Sequence, residues 1–194
     1  VYFAGDGDGL QAYYGTLYHV QHDTTYYRTQ SMNYPYGEMV YFTGKQPLVA
    51  NSIKRVSENI VDISPFTLGI LNFIMLSSIV IGAIFIYLIL KRIGLPTLYS
   101  ILVSVLIIYL SPQQSRLGGH FSLTYLFFIP MMLYLYMLYY EKPKWWLTGI
   151  ISFSVFVAAC THFYIVAFIG LIWLFFWLVA LWSEKEKFRK FKYY

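Results

Sequence analysis

The sequence predicts an all-α integral membrane protein, with about five transmembrane helices behind a polar opening region, and three observations carry that prediction. The 194 residues are 58% hydrophobic and only 12% charged, whereas soluble domains carry about 45–50% and about 25%. The apolar residues gather into runs long enough to cross a bilayer. The basic residues stand at the ends of those runs rather than inside them.

Residues 1–64 are too polar to span. Leu10, Tyr13, Tyr14, Leu17 and Tyr18 recur at helical spacing and predict a helix over about 9–22. The stretch SMNYPYGEMVYF must then turn, because Pro35 fixes φ and Gly37 supplies a permissive exit. Within about 47–62, Val49, Ile53, Val56 and Ile60 recur at steps of three and four, with Lys54, Arg55, Ser57 and Glu58 between them. Opened by Pro47, this is an amphipathic helix suited to the membrane interface. The spans follow at about 65–90, 95–111 and 122–140. The next run, 145–182, has 38 residues, with His162 its one ionisable side chain apart from tyrosine and Cys160. That is too long for one crossing and right for two, over about 145–160 and 163–182. A basic segment, 183–194, closes the chain. With no initiating Met and no earlier apolar span, we expect the N-terminal portion of a longer polytopic protein.

Charge then orients the spans. Lys91, Arg92, Lys142, Lys144, Lys185, Lys187, Arg189, Lys190 and Lys192, 9 of the 14 basic residues, fall on one side if all five spans cross. The positive-inside rule makes that side cytoplasmic. Residues 1–64 then face outward with Arg116, His120 and His162, and Lys45, Lys54 and Arg55 do not object, because long loops translocate largely regardless of charge. The net charge of +5 is thereby a topology signal, with no nucleic-acid partner implied. The single Cys160 excludes a disulfide framework.

The chemistry-bearing residues collect on the outer face. In GDGDGLQAYYG, Asp6 and Asp8 form a DxD pattern, the kind that holds the metal of a nucleotide-sugar. Nucleotide-sugars are cytoplasmic, so an outward pair argues instead for a lipid-phosphate-linked donor. Asp8 fits two roles: a general base that takes the proton of an attacking hydroxyl, or the N-cap of the helix that follows. Asp6 fits a solvated turn or an orienting acid. In SPQQSRLGGHFSL, Arg116 offers a phosphate fork and His120 a donor to a phosphate oxygen. Arg116 also fits an anchor to lipid headgroups, and His120 a hydrogen bond to backbone. His162 at the bend fits a packing histidine or a ligand group. The tyrosines form in part an aromatic belt, while Tyr34 and Tyr36 of the YPYG turn present rings that stack on sugars. Asp6, Asp8 and His120 would together suit Mg or Mn, although no ligand spacing fixes such a site.

GDGDGLQAYYG, MNYPYGE and GGHFSL leading into a proline-bearing span resemble the polytopic GT-C glycosyltransferases. Within that class the chain is similar to bacterial membrane proteins of the Bacteroidetes type. The resemblance implies an essential acid in the first outer loop, with Asp8 matching best by position and Asp6 second. It also implies amphipathic helices in that loop, a polyprenyl-phosphate sugar donor, and transfer outside the bacterial cytoplasmic membrane. The sugar acceptor is not implied. A transporter or flippase is the competing class, and it predicts charged groups in mid-span. A scaffold whose outer region binds a partner is a third reading.

Overall fold

The computed structural model describes residues 7–44 and 46–183. The polar opening region forms α1 (Gly7–Gln21), a two-stranded antiparallel hairpin of β1 (Arg28–Thr29) and β2 (Glu38–Met39), and α2 (Pro47–Asn59). The apolar part forms α3 (Thr67–Arg92), α4 (Thr97–Leu110), the single turn α5 (Gln113–Arg116), α6 (Phe128–Glu141), α7 (Trp145–Thr161) and α8 (Phe163–Ser183). A short 3-10 turn, Phe121–Thr124, leads into α6. The small hairpin is absent from the helical sequence reading. It is held by a turn in which Gly37 has φ +66°, and a Cβ there would lie 2.6 Å from the Thr29 carbonyl oxygen, so only glycine fits.

Four helical runs are long and apolar enough to cross a membrane: Ser64–Arg92, Thr97–Arg116, Phe121–Glu141 and Phe163–Trp182. This is the pattern of a multi-pass membrane protein. The fifth apolar helix, α7, has 17 residues, short of the roughly 20 that cover a hydrocarbon core. α3 packs against α4 and α6, and α6 packs against α7 and α8. Gly82 permits the first of these contacts: a Cβ there would meet Ile108 Cδ1 at 2.8 Å. α4 turns Ser100, Ser104 and Ile108 inward and leaves Leu102, Val105, Leu106 and Tyr109 exposed. Such a face suits lipid.

The bundle has two chemically distinct ends. At one, Arg92 closing α3 forks Glu141 closing α6, with Nε to Oε1 at 2.7 Å and Nη2 on the second oxygen. Lys91 Nζ donates to the Leu95 carbonyl at 3.1 Å. At the other end lie α1, the hairpin, α2, α5 and the 3-10 turn. Lys185, Lys187, Arg189, Lys190 and Lys192 lie outside the described residues.

Both opening helices bury part of the stripe their apolar spacing marks, Tyr13 on α1 and Ile53 on α2, and polar residues beside it. α1 buries Tyr13, Thr16, His19 and Val20, while Leu10 and Tyr14 are exposed. α2 buries Ala50, Ile53 and Lys54 and packs on α1, α3 and α7, and Ile60 lies exposed beyond its end. The interfacial helix therefore seats its inner face on protein. The reason is a polar cluster that apolar spacing cannot reveal. His19 Nδ1 lies 2.8 Å from Asp23 Oδ2, and Nε2 lies 2.9 Å from Asn51 Oδ1. Lys54 Nζ donates to the carbonyls of His19, Asp23 and Thr25. Burial holds the Lys54 ammonium below its ordinary pKa, and the nearby Glu58 and Asp23 carboxylates oppose that shift.

Candidate functional site

One aromatic contact sets the site. Tyr13 on α1 is buried against Phe121, with ring centroids 4.6 Å apart, and its hydroxyl donates to Asn72 of α3. This fixes α1 against both the third helix and the turn before α6. Asp8 lies a turn and a half before Tyr13, and His120 immediately precedes Phe121. The docking therefore brings the two together, with Asp8 Oδ2 4.0 Å from His120 Nδ1. Both side chains are largely exposed, at 71% and 55%, so the pair adds little stability and keeps free valence for a ligand.

Asp8 and His120 line a cleft of about 390 Å³. Arg116 and His162 line the same cleft, with Gln11, Phe42 and Tyr164 among its other walls. Among the described residues the Arg116 guanidinium makes no hydrogen bond or ion pair. At His162 the Tyr164 backbone N–H donates to Nδ1 at 3.2 Å. The neutral ring then carries its proton on Nε2, where it can donate. Burial lowers the His162 pKa from its ordinary value and favours that neutral form.

The helix begins at Gly7, so Asp8 sits inside its first turn rather than at the N-cap. Its carboxylate makes no hydrogen bond to the N–H groups of residues 10 or 11 among the described contacts. A carboxylate there still gains from the helix dipole. Asp6 lies outside the described residues. Tyr34 and Tyr36 are 86% and 78% exposed on the hairpin turn and do not line the cleft. Among the described residues no group of three or more His, Cys, Asp or Glu is placed to hold a metal ion. Asp8 and His120 meet as a pair, and Asp6, the third member of the expected metal set, lies outside the described residues.

Sequence reading missed Gln11, Phe42 and Tyr164. None carries a charge, and only the packing of their separate segments around the cleft brings them together. A second hollow, about 320 Å³ and almost wholly apolar, lies between α2, α3, α6 and α7. Phe73, Ile74, Phe128 and Val157 line it. It approaches the polar cleft through an intervening space, whose wall at Thr161 is common to both spaces and at His162 belongs also to the cleft.

A helical bundle with membrane-length apolar helices, carrying a polar cleft among its loops, defines a multi-pass membrane protein with a candidate ligand site at one end. The chain belongs to the family described as a domain of unknown function (DUF6311), whose model matches residues 1–193. No curated protein and no solved structure matches it.

Proposed function

We propose that the chain is part of a GT-C-type inverting glycosyltransferase that moves a sugar from a polyprenyl-phosphate donor to an acceptor on the extracytoplasmic side of the bacterial cytoplasmic membrane. The observation that carries this reading is the convergence of Asp8, Arg116, His120 and His162, far apart in sequence, on one cleft. Lys91 and Arg92 end α3 and Lys142 and Lys144 follow α6 at the opposite end of the bundle, where Arg92 meets Glu141, which supports an outward-facing cleft under the positive-inside rule. The apolar hollow near Thr161 supports a lipid-linked donor, because it offers the tail a dry neighbour to the polar head.

In this mechanism the Asp8 carboxylate accepts the acceptor hydroxyl's proton as that oxygen bonds to the anomeric carbon. The bond from that carbon to the donor phosphate oxygen breaks, and the phosphate leaves with the electron pair. Arg116, the His162 Nε2–H and His120 donate to the oxygens on which charge develops. The transport reading would need ionisable groups in mid-span. Lys91, Arg92, Arg116 and Glu141 stand at the ends of their runs instead.

Transfer of labelled sugar from the membrane polyprenyl-phosphate pool, measured in the full chain, tests this reading. Asp8→Asn should lower the rate by about a thousandfold, within the range of a lost general base, and leave the thermal midpoint unchanged. Undiminished transfer by Asp8→Asn refutes the base. Cysteine labelling at positions 8 and 91 checks the sidedness, and cytoplasmic labelling of position 8 would overturn it.

A further inference from the structure

The cleft holding Asp8 continues beyond His162. Past Phe42, Gly44 and His162 it meets a space of about 140 Å³. Past Tyr41, Pro47 and Cys160 that space meets a third hollow of about 280 Å³. The three spaces adjoin through shared wall residues and form a grooved row along the loop end, from Asp8 to Arg55 on α2.

The far hollow has its own chemistry. Arg55 lines it beside Tyr26, Tyr41, Asn51 and Ser52. Arg55 is exposed, and among the described residues its guanidinium makes no hydrogen bond or ion pair. Its neighbours are already engaged: Glu58 accepts from the Tyr26 hydroxyl and faces Lys54 Nζ at 3.9 Å. That bond also orients the Tyr26 ring. Asn51 turns its carbonyl oxygen to His19, which leaves its amide hydrogens for a ligand. Tyr41 and Phe42 stand between the two ends, half and mostly exposed. No carboxylate lines the groove between Asp8 and Arg55 among the described residues.

We propose that this groove is an acceptor subsite for an acidic saccharide chain, with Tyr41 and Phe42 against the sugar rings and Arg55 forking a carboxylate or phosphate on a ring distant from the reacting hydroxyl. Aromatic faces suit the apolar faces of sugars, and a guanidinium fork suits planar anions. The three adjoining spaces are large enough for several linked rings, since single ligand pockets run about 300–1,000 Å³. The proposal rests on the reading of Asp8 as the base that meets the acceptor.

The test is binding of tetragalacturonate, with neutral maltotetraose as the comparison, to the full chain in phosphatidylcholine nanodiscs. Tetragalacturonate should bind about tenfold more tightly than maltotetraose, and Arg55→Gln should remove that preference. Arg55→Lys should keep part of it, and Tyr41→Ala should weaken both ligands about fivefold. Equal affinity for the two sugars, or an unchanged preference in Arg55→Gln, overturns the proposal. So does a loss confined to phosphatidylglycerol vesicles, which would make Arg55 a lipid-headgroup contact. Asp8→Asn separates this subsite from the catalytic reading, because it should bind tetragalacturonate normally. Arg55-dependent binding alongside intact transfer by Asp8→Asn defeats the base alone. Lost transfer by Asp8→Asn alongside Arg55-independent binding defeats the subsite alone.

Discussion

Two clusters of acid, base and imidazole stand at the loop end of this protein, one sealed and one open. Between α1 and α2, His19, Asp23, Asn51 and Lys54 satisfy one another and the nearby carbonyls, and His19 and Lys54 are wholly buried. At the start of α1, Asp8 faces His120 at 4.0 Å, with Arg116 and His162 on the same cleft and exposed surface between them. The sealed set spends its hydrogen-bonding capacity on the fold. The open set keeps it for a ligand. The presence of acid, base and imidazole therefore does not mark a site; unused valence facing a cavity does.

Breaking the sealed cluster should have the largest effect. Lys54→Met leaves the carbonyls of Asp23 and Thr25 without their donor and uncovers the Asp23 charge. It should cost about 3 kcal/mol of stability, read as a fall in the thermal midpoint of the full chain in detergent. An unchanged midpoint would show that the cluster does not hold α1 to α2. The open cluster should respond differently. Arg116→Ala should leave the midpoint in place and raise the donor KM about tenfold, the loss expected for one charge-assisted contact. Loss of stability there would move Arg116 into the structural class.

The smallest effect sharpens the boundary between the two. His162 is partly buried, and its pKa lies below the ordinary 6.5. Between the depressed folded value and 6.5 the unfolded chain binds more protons, so stability rises with pH in that window. It is fully present above 6.5 and is lost as pH falls through the window. Protonation would also set Nδ1–H against the Tyr164 N–H that now donates to it. The thermal midpoint of His162→Gln should accordingly vary less between pH 7.5 and 5 than that of the parent. Equal variation would exclude His162 as the titrating group.

Composition, apolar run length and two prolines, by themselves, determined the helical membrane character, the turn at Pro35 and the helix opened at Pro47. Those properties follow from local sums: hydrophobicity per residue, and the φ that a proline ring permits. Local sums found Tyr13 and Ile53 but missed the polar part of the inner faces of α1 and α2. They follow apolar spacing alone, while His19 and Lys54 are buried because partners up to 35 residues away satisfy them. The small hairpin was likewise invisible in apolar content. For the site, sequence singled out Asp8, Arg116, His120 and His162 as candidates, and the tertiary structure set them around one cleft while leaving Tyr34 and Tyr36 on an exposed turn. The physical reason is the docking of Tyr13 onto Phe121 and Asn72. Those contacts join residues 59 and 108 positions apart, and no local pattern encodes them.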